Sequence, residues 1–261
     1  MESFISETIN KELPAAQERQ KSPLDKTSVE KLLENGEVEI VSEVRGSSKV
    51  EILKFKDGDK AIFKSKSGEI DFSCAGYEPG TLYKRERAAY LIDRFLDFGL
   101  VPTTVIREID GDVGSVQEFK DAKTASELSY EERYKVSSAE YGKLCLFDYI
   151  IWNTDRTREN YLIEDKTLWA IDNGLSFNNR PYSGVITESL LAGPPSPDTI
   201  SKLKSFIEDE ELKKALRGLL AECLSQQEID ACFARIEKIG KTVMKAGRVL
   251  FDFKLDFNPS K

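Results

Sequence analysis

The chain has 261 residues, of which 40% are hydrophobic, enough to bury the core of one large domain or of two joined lobes. Its 46 acidic residues outnumber its 38 basic ones, and the resulting formal charge of −8 repels phosphate backbones and anionic lipid surfaces, so charge makes no case for general nucleic-acid binding. Histidine is absent, which excludes Ser-His-Asp and Cys-His nucleophiles, H-E-x-x-H zinc sites and histidine proton shuttles, and leaves an enzyme only carboxylates, lysine, tyrosine or cysteine as its base.

Residues 1–26 are polar, with Pro14 and Pro23 interrupting any long helix, and read as a flexible N-terminal arm. Thr27 or Ser28 caps a short helix through Leu33 that Asn35-Gly36 ends, and Val38, Ile40 and Val44 then alternate as a strand does. The runs 50–55 and 60–64 are two more strands joined through Asp57-Gly58, a strong hairpin dipeptide. Leu82, Ala89, Ile92 and Leu96 share one arc of a helix over 82–96, for which Gly99 supplies the stop. Residues 101–109 and 113–119 form a strand pair around Asp110-Gly111. From there the pattern turns helical over 128–151, returns to a short strand pair at 161–163 and 168–171, and continues after a Gly- and Pro-rich loop as helices from about Thr199 to Leu250. This order predicts an α+β protein of two lobes with a ligand cleft between them: 27–120 an antiparallel sheet with one helix, 121–261 mainly helical.

The four cysteines show no C-x-x-C pair and fit reduced thiols, no cationic leader opens the chain, and no run approaches the ~20 apolar residues of a membrane span. A cytoplasmic location without a transmembrane segment is the expectation.

Asp155 and Asn160 are separated by four residues, the spacing of a kinase catalytic loop, in which the aspartate handles the acceptor hydroxyl and the asparagine reaches a magnesium ion. Asp172 follows an apolar strand and precedes Asn173-Gly174, the place of a metal-binding D-x-G aspartate. Phosphoryl transfer needs little covalent help from the protein, so a chain without histidine can manage it. Lys64, ending an apolar strand, is placed to contact the α- and β-phosphates, with Lys66 as the alternative cation. Glu86 on the following helix is its candidate partner, although helical spacing alone does not choose Glu86 over Arg85 or Glu78. Gly46, Ser47 and Ser48 lie between the first two strands and read either as a phosphate-facing loop or as a plain turn. Gln117, Glu118 and Phe119 sit where the sheet lobe passes to the helical lobe, so their backbone is placed for an adenine edge.

Taken with Tyr77-Glu78-Pro79-Gly80-Thr81-Leu82, Leu100-Val101-Pro102, Asn153-Thr154-Asp155-Arg156 and Ile171-Asp172-Asn173-Gly174, these residues make roughly 40–180 resemble the phosphatidylinositol 3- and 4-kinase-like superfamily, close to its bacterial members and similar to type II phosphatidylinositol 4-kinases and HipA-type kinases. The resemblance implies a protein-kinase-like fold, ATP with Mg2+ or Mn2+, phosphate binding by Lys64, catalysis by Asp155, and metal binding by Asn160 and Asp172. It does not transfer a role to Thr157, which stands where many relatives have histidine, and it leaves Arg156 unassigned.

The family includes lipid kinases and kinases of protein serine or threonine. With no cysteine cluster for palmitoylation, no basic membrane-facing tract and net negative charge, the chain points to a protein or soluble small-molecule hydroxyl as acceptor rather than a lipid. The alternatives are a phosphatidylinositol 4-kinase-like enzyme, a nucleotide-binding pseudokinase or partner-binding module, and a HipA-like toxin kinase; the four polar site residues argue against the pseudokinase. Residues 174–198, including Arg180 and Tyr182, read as the border of the acceptor site or as a surface connection.

Overall fold

The computed structural model describes residues 22–45, 49–178 and 191–246. The first helix, α1 (Ser28–Asn35), is held by a reciprocal cap: the Thr27 hydroxyl accepts from the Glu30 amide and the Glu30 carboxylate accepts from the Thr27 amide. Strands β1 (Val38–Arg45), β2 (Lys49–Phe55) and β3 (Lys60–Ser65) follow as antiparallel hairpins. The β2–β3 turn places Gly58 at φ +99°, a conformation that L side chains rarely adopt and glycine reaches freely. Strands β4 (Thr104–Ile109) and β5 (Asp112–Glu118) complete a five-stranded antiparallel sheet in the order β1-β2-β3-β5-β4.

Alternation along these strands sorts the two faces. Leu53, Phe55, Ala61, Phe63, Val105 and Val116 are buried together under Leu33 of α1. Lys64 projects from the other face, opposite Val50 on β2 and Ser115 on β5. Helix α2 (Leu82–Leu96) packs against β4 and β5. Eleven of its fifteen residues are buried, more than one face of a helix can supply, because α2 also belongs to the large core of the helical half.

Two boundaries differ from the sequence expectation. The left-handed residue that ends α2 is Asp97, at φ 52°, with the Phe98 amide donating back to Asp93; Gly99 lies in the loop beyond it. The next strand starts at Thr104 rather than Val101, since Pro102 offers no amide for a ladder.

The helical half consists of α3 (Tyr130–Tyr134), α4 (Ser138–Ile151), α5 (Pro197–Glu208), α6 (Glu210–Leu220) and α7 (Gln226–Ala246). It carries a second, three-stranded sheet: β6 (Lys123–Thr124) pairs with β7 (Tyr161–Glu164), and β7 with β8 (Thr167–Ala170). The two-residue β6 is too short to show a pattern in sequence. The α+β, two-lobed, protein-kinase-like architecture is therefore present, and the loop 152–160 between α4 and β7 faces the residues just after β8. No helix among the described residues is long and apolar enough to cross a membrane.

Candidate active site

Helix α4 ends at Trp152, whose left-handed φ of 55° turns the chain into the loop. Asn153 shapes that loop locally, its side-chain oxygen accepting from the Asp155 amide at 2.8 Å, an Asx turn. Thr154 donates from its amide and hydroxyl to the Leu175 carbonyl, at 3.0 and 3.1 Å. Asn160 then closes the loop: its amide nitrogen lies 2.6 Å from the Asp155 carbonyl and 3.2 Å from the Asp155 carboxylate. That use of the nitrogen leaves the Asn160 amide oxygen uncommitted among the described residues.

Arg156 ties this loop to the strand end that carries Asp172. It is 3% exposed. Its guanidinium grips the Asp148 carboxylate through Nε and Nη2, at 3.0–3.1 Å, and donates to the Asn160 and Ile171 carbonyls and to Asn173 Oδ1. The sequence left this residue without a role; the signal available was its pairing with an acid eight residues earlier on the preceding helix.

Lys64, Glu86 and Asp172 come together from three elements. Lys64 Nζ lies 2.6 Å from Glu86 Oε1 and 2.9 Å from Asp172 Oδ1. The second Glu86 oxygen accepts from the Asn173 amide at 2.9 Å, so this carboxylate holds both the lysine and the residue after Asp172. Neither Arg85 nor Glu78 takes that place. Burial alone would favour a neutral lysine, but the two carboxylates outweigh it and raise the Lys64 pKa above its ordinary value. The Lys64 ammonium in turn holds the Asp172 carboxyl below its usual range, against the opposing effect of burial. Asp155 is raised instead, by burial first and by the Asp172 charge second.

Lys64, Glu86, Asp155 and Asp172 all line one cavity of about 90 Å3, walled also by Ser65, Phe72, Leu82 and Leu175. Carboxylate oxygens such as that of Asp172, and a side-chain amide oxygen such as that of Asn160, are the donor types that suit a hard divalent cation, which completes its shell with water or phosphate oxygens. Among the described residues, no three Cys, Asp or Glu side chains form a metal cluster of their own.

Other expected positions differ. Gly46, Ser47 and Ser48, like Arg180 and Tyr182, lie outside the described residues. The Gln117 side chain is buried and donates to Thr104 Oγ1 at 2.8 Å, while the Glu118 and Phe119 amides donate to the Thr103 and Lys60 carbonyls at 2.8 and 3.2 Å. These three donors are taken up by neighbouring residues of the sheet lobe, so none of them is open to a base edge. An apolar ledge that the sequence reading overlooked stands on the Lys64 face of the sheet: Val50, Ile52 and Ile62 are half-buried and in register with Lys64. Even-number alternation with Lys64 was the signal.

The family model described as phosphatidylinositol 3- and 4-kinase matches residues 72–230, well over half of the chain. The chain has no significant match among curated proteins. Among solved structures, the Golgi casein kinase superposes with a TM-score of 0.55 at 18% identity over 83% of this chain and 75% of that one. The same kinase with Mn and ADP bound gives 0.53 at 18% identity with the same coverage. Hydra Fam20 with sugar gives 0.55 at 16% identity over 80% of this chain and 86% of that one. At these identities the likeness is one of fold.

Proposed function

The chain belongs to the phosphatidylinositol 3- and 4-kinase family, and from that premise we propose that it is an ATP-dependent phosphotransferase that moves the γ-phosphoryl group to a hydroxyl, on a protein serine or threonine or a soluble small molecule. The observation that carries this reading is the Lys64 ammonium bridging Glu86 and Asp172, with Asp155 lining the same cavity.

In this reading Lys64, kept cationic by its two carboxylates, binds the α- and β-phosphates, and Glu86 fixes its position. Asp155 accepts the proton of the acceptor hydroxyl; its raised pKa makes it the better base of the two aspartates. Asp172 and Asn160 would hold Mg2+, or Mn2+ as in the Golgi casein kinase structure, and such an ion would supply charge neutralisation on phosphate oxygens. Val50, Ile52 and Ile62 offer an apolar surface to the base in place of the occupied amides of 117–119. Arg156 holds the two halves of the site at a fixed separation. The absence of a disulfide among the four cysteines is compatible with a reducing compartment, in keeping with the cytoplasmic setting of this reading.

The test is transfer of labelled γ-phosphate from ATP in Mg2+ or Mn2+, offered to mixed proteins, to phosphatidylinositol vesicles and to water. Wild type labels protein or releases phosphate, and Asp155→Ala loses at least a hundredfold of that rate. Equal background rates in the two proteins overturn the kinase reading. Label in the lipid alone moves the acceptor to phosphatidylinositol, and transfer of the nucleotide instead of phosphate, read by mass, replaces the reaction.

A further inference from the structure

Arg85 stands beside Glu86 on α2, and the proposed reaction gives it no task. It is 4% exposed. Its guanidinium donates to the Ser176 carbonyl at 2.7 Å and to Glu228 Oε1 of α7 at 2.5 Å, and lies 5.0 Å from the centroid of the Tyr77 ring. Each of these partners leads back to the site or to a rigid anchor. Ser176 is four residues past Asp172, and the Tyr77 hydroxyl is 2.9 Å from the Thr154 hydroxyl, next to Asp155. Glu228 is itself fixed: its second oxygen accepts from the Ser225 amide and hydroxyl at 2.9 and 2.8 Å, and its own amide donates back to Ser225 Oγ, a reciprocal cap on α7.

We propose that Arg85, anchored by Glu228, is a positioning residue that holds α2 at the rotation in which Glu86 reaches Lys64. Adjacent helix residues project about 100° apart, so clamping Arg85 on one side and Glu86 on the other leaves α2 no freedom to turn about its axis. A turn of about a tenth of a revolution is enough to carry a carboxylate out of hydrogen-bond reach of its partner. A buried ion pair adds little net stability over an apolar pair of the same shape, and its best attested use is to set register, which is the use made of it here. The consequence is that α7, far along the chain, sets the geometry of the phosphate-binding lysine. This inference rests on the kinase reading only for the role of Lys64.

The experiment compares wild type, Glu228→Gln and Arg85→Lys by amide hydrogen exchange over 83–90 and by Mg-ATP turnover with water as acceptor. Both variants are expected to speed exchange over 83–90 at least tenfold while α4 is unchanged, and to lower kcat at least fivefold. In a Glu86→Gln background the Glu228→Gln loss disappears, because both changes act through the same carboxylate. Unchanged exchange in α2 overturns the proposal, as do kcat losses that multiply in the double variant. If wild type turns over no ATP, the kinase reading fails, and the exchange comparison by itself decides whether Arg85 braces α2. If Arg85→Lys does not fold, Glu228→Gln, which keeps side-chain shape and the Ser225 cap, carries the test alone.

Discussion

At the scale of single residues, the site is held less by its reactive groups than by the buried cation behind them. Asp148 is 1% exposed, and its burial pushes the carboxyl pKa up against the Arg156 charge that stabilises the ion. Removing that cation strands a charge in the core. Arg156→Met is therefore expected to destabilise the protein by about 3–5 kcal/mol, read as a lower urea midpoint at constant m-value. A loss under about 1 kcal/mol would show that water reaches Asp148 and that the arginine is dispensable. Activity at temperatures where the variant stays folded separates positioning from stability: the Asn160 and Ile171 carbonyls lose their common donor, so turnover drops even there.

Among elements, α2 carries most of the coupling. On its sheet side, Glu30 of α1 is fully buried and receives Arg87 at 3.1 Å and Arg94 at 2.5 Å, while also capping its own helix. Glu30→Ala leaves two arginines without their acid and removes the cap; a loss of about 3 kcal/mol, or a Tm lower by about 10 °C, is expected by calorimetry. At its other end, Asp93 is buried and accepts from the Leu100 and Val101 amides, which fold the loop after α2 back on the helix. Burial raises its pKa from the ordinary 3.8 to about 7, although those two amides oppose the shift. Between pH 4 and 7 the folded state then holds a proton that the unfolded chain releases, so this group's contribution to stability falls as pH rises through that window. Stability measured against pH should decline less steeply from 4 to 7 in Asp93→Asn than in wild type; parallel curves would place the Asp93 carboxyl in an ordinary environment.

The whole molecule behaves as one unit because α2 is shared. Its outer residues complete the sheet lobe and its inner ones join the large core with α4, α5, α6 and α7, so neither half can shed it without losing apolar contacts. A ligand that bridges Lys64 and Asp172 should stabilise both halves together. A non-hydrolysable ATP analogue with Mg2+ at a hundredfold over its Kd is expected to add about 2.7 kcal/mol to the unfolding free energy in a single transition. The gain should vanish in Asp172→Asn; an equal gain in that variant would move the nucleotide to another place.

Most elements were legible in the chain itself, since hydrophobic period, the Asp57-Gly58 hairpin and the Thr27 cap are local signals that neighbouring residues carry. So was the candidate loop, because four residues between Asp155 and Asn160 is a spacing along the chain. What the chain could not show was any choice made across space. Glu86 rather than Arg85 or Glu78 meets Lys64 because α2 is rotated by contacts with two layers at once. The amides of 117–119 are spent because β5 finds β3 and β4 as neighbours, and Arg156 has its function because residues 148, 160, 171 and 173 converge on one guanidinium. Sequence by itself determined the inventory of groups and their order; the tertiary structure alone decided the partners, because a hydrogen bond or an ion pair acts over about 3 Å of space whatever the number of residues between its ends.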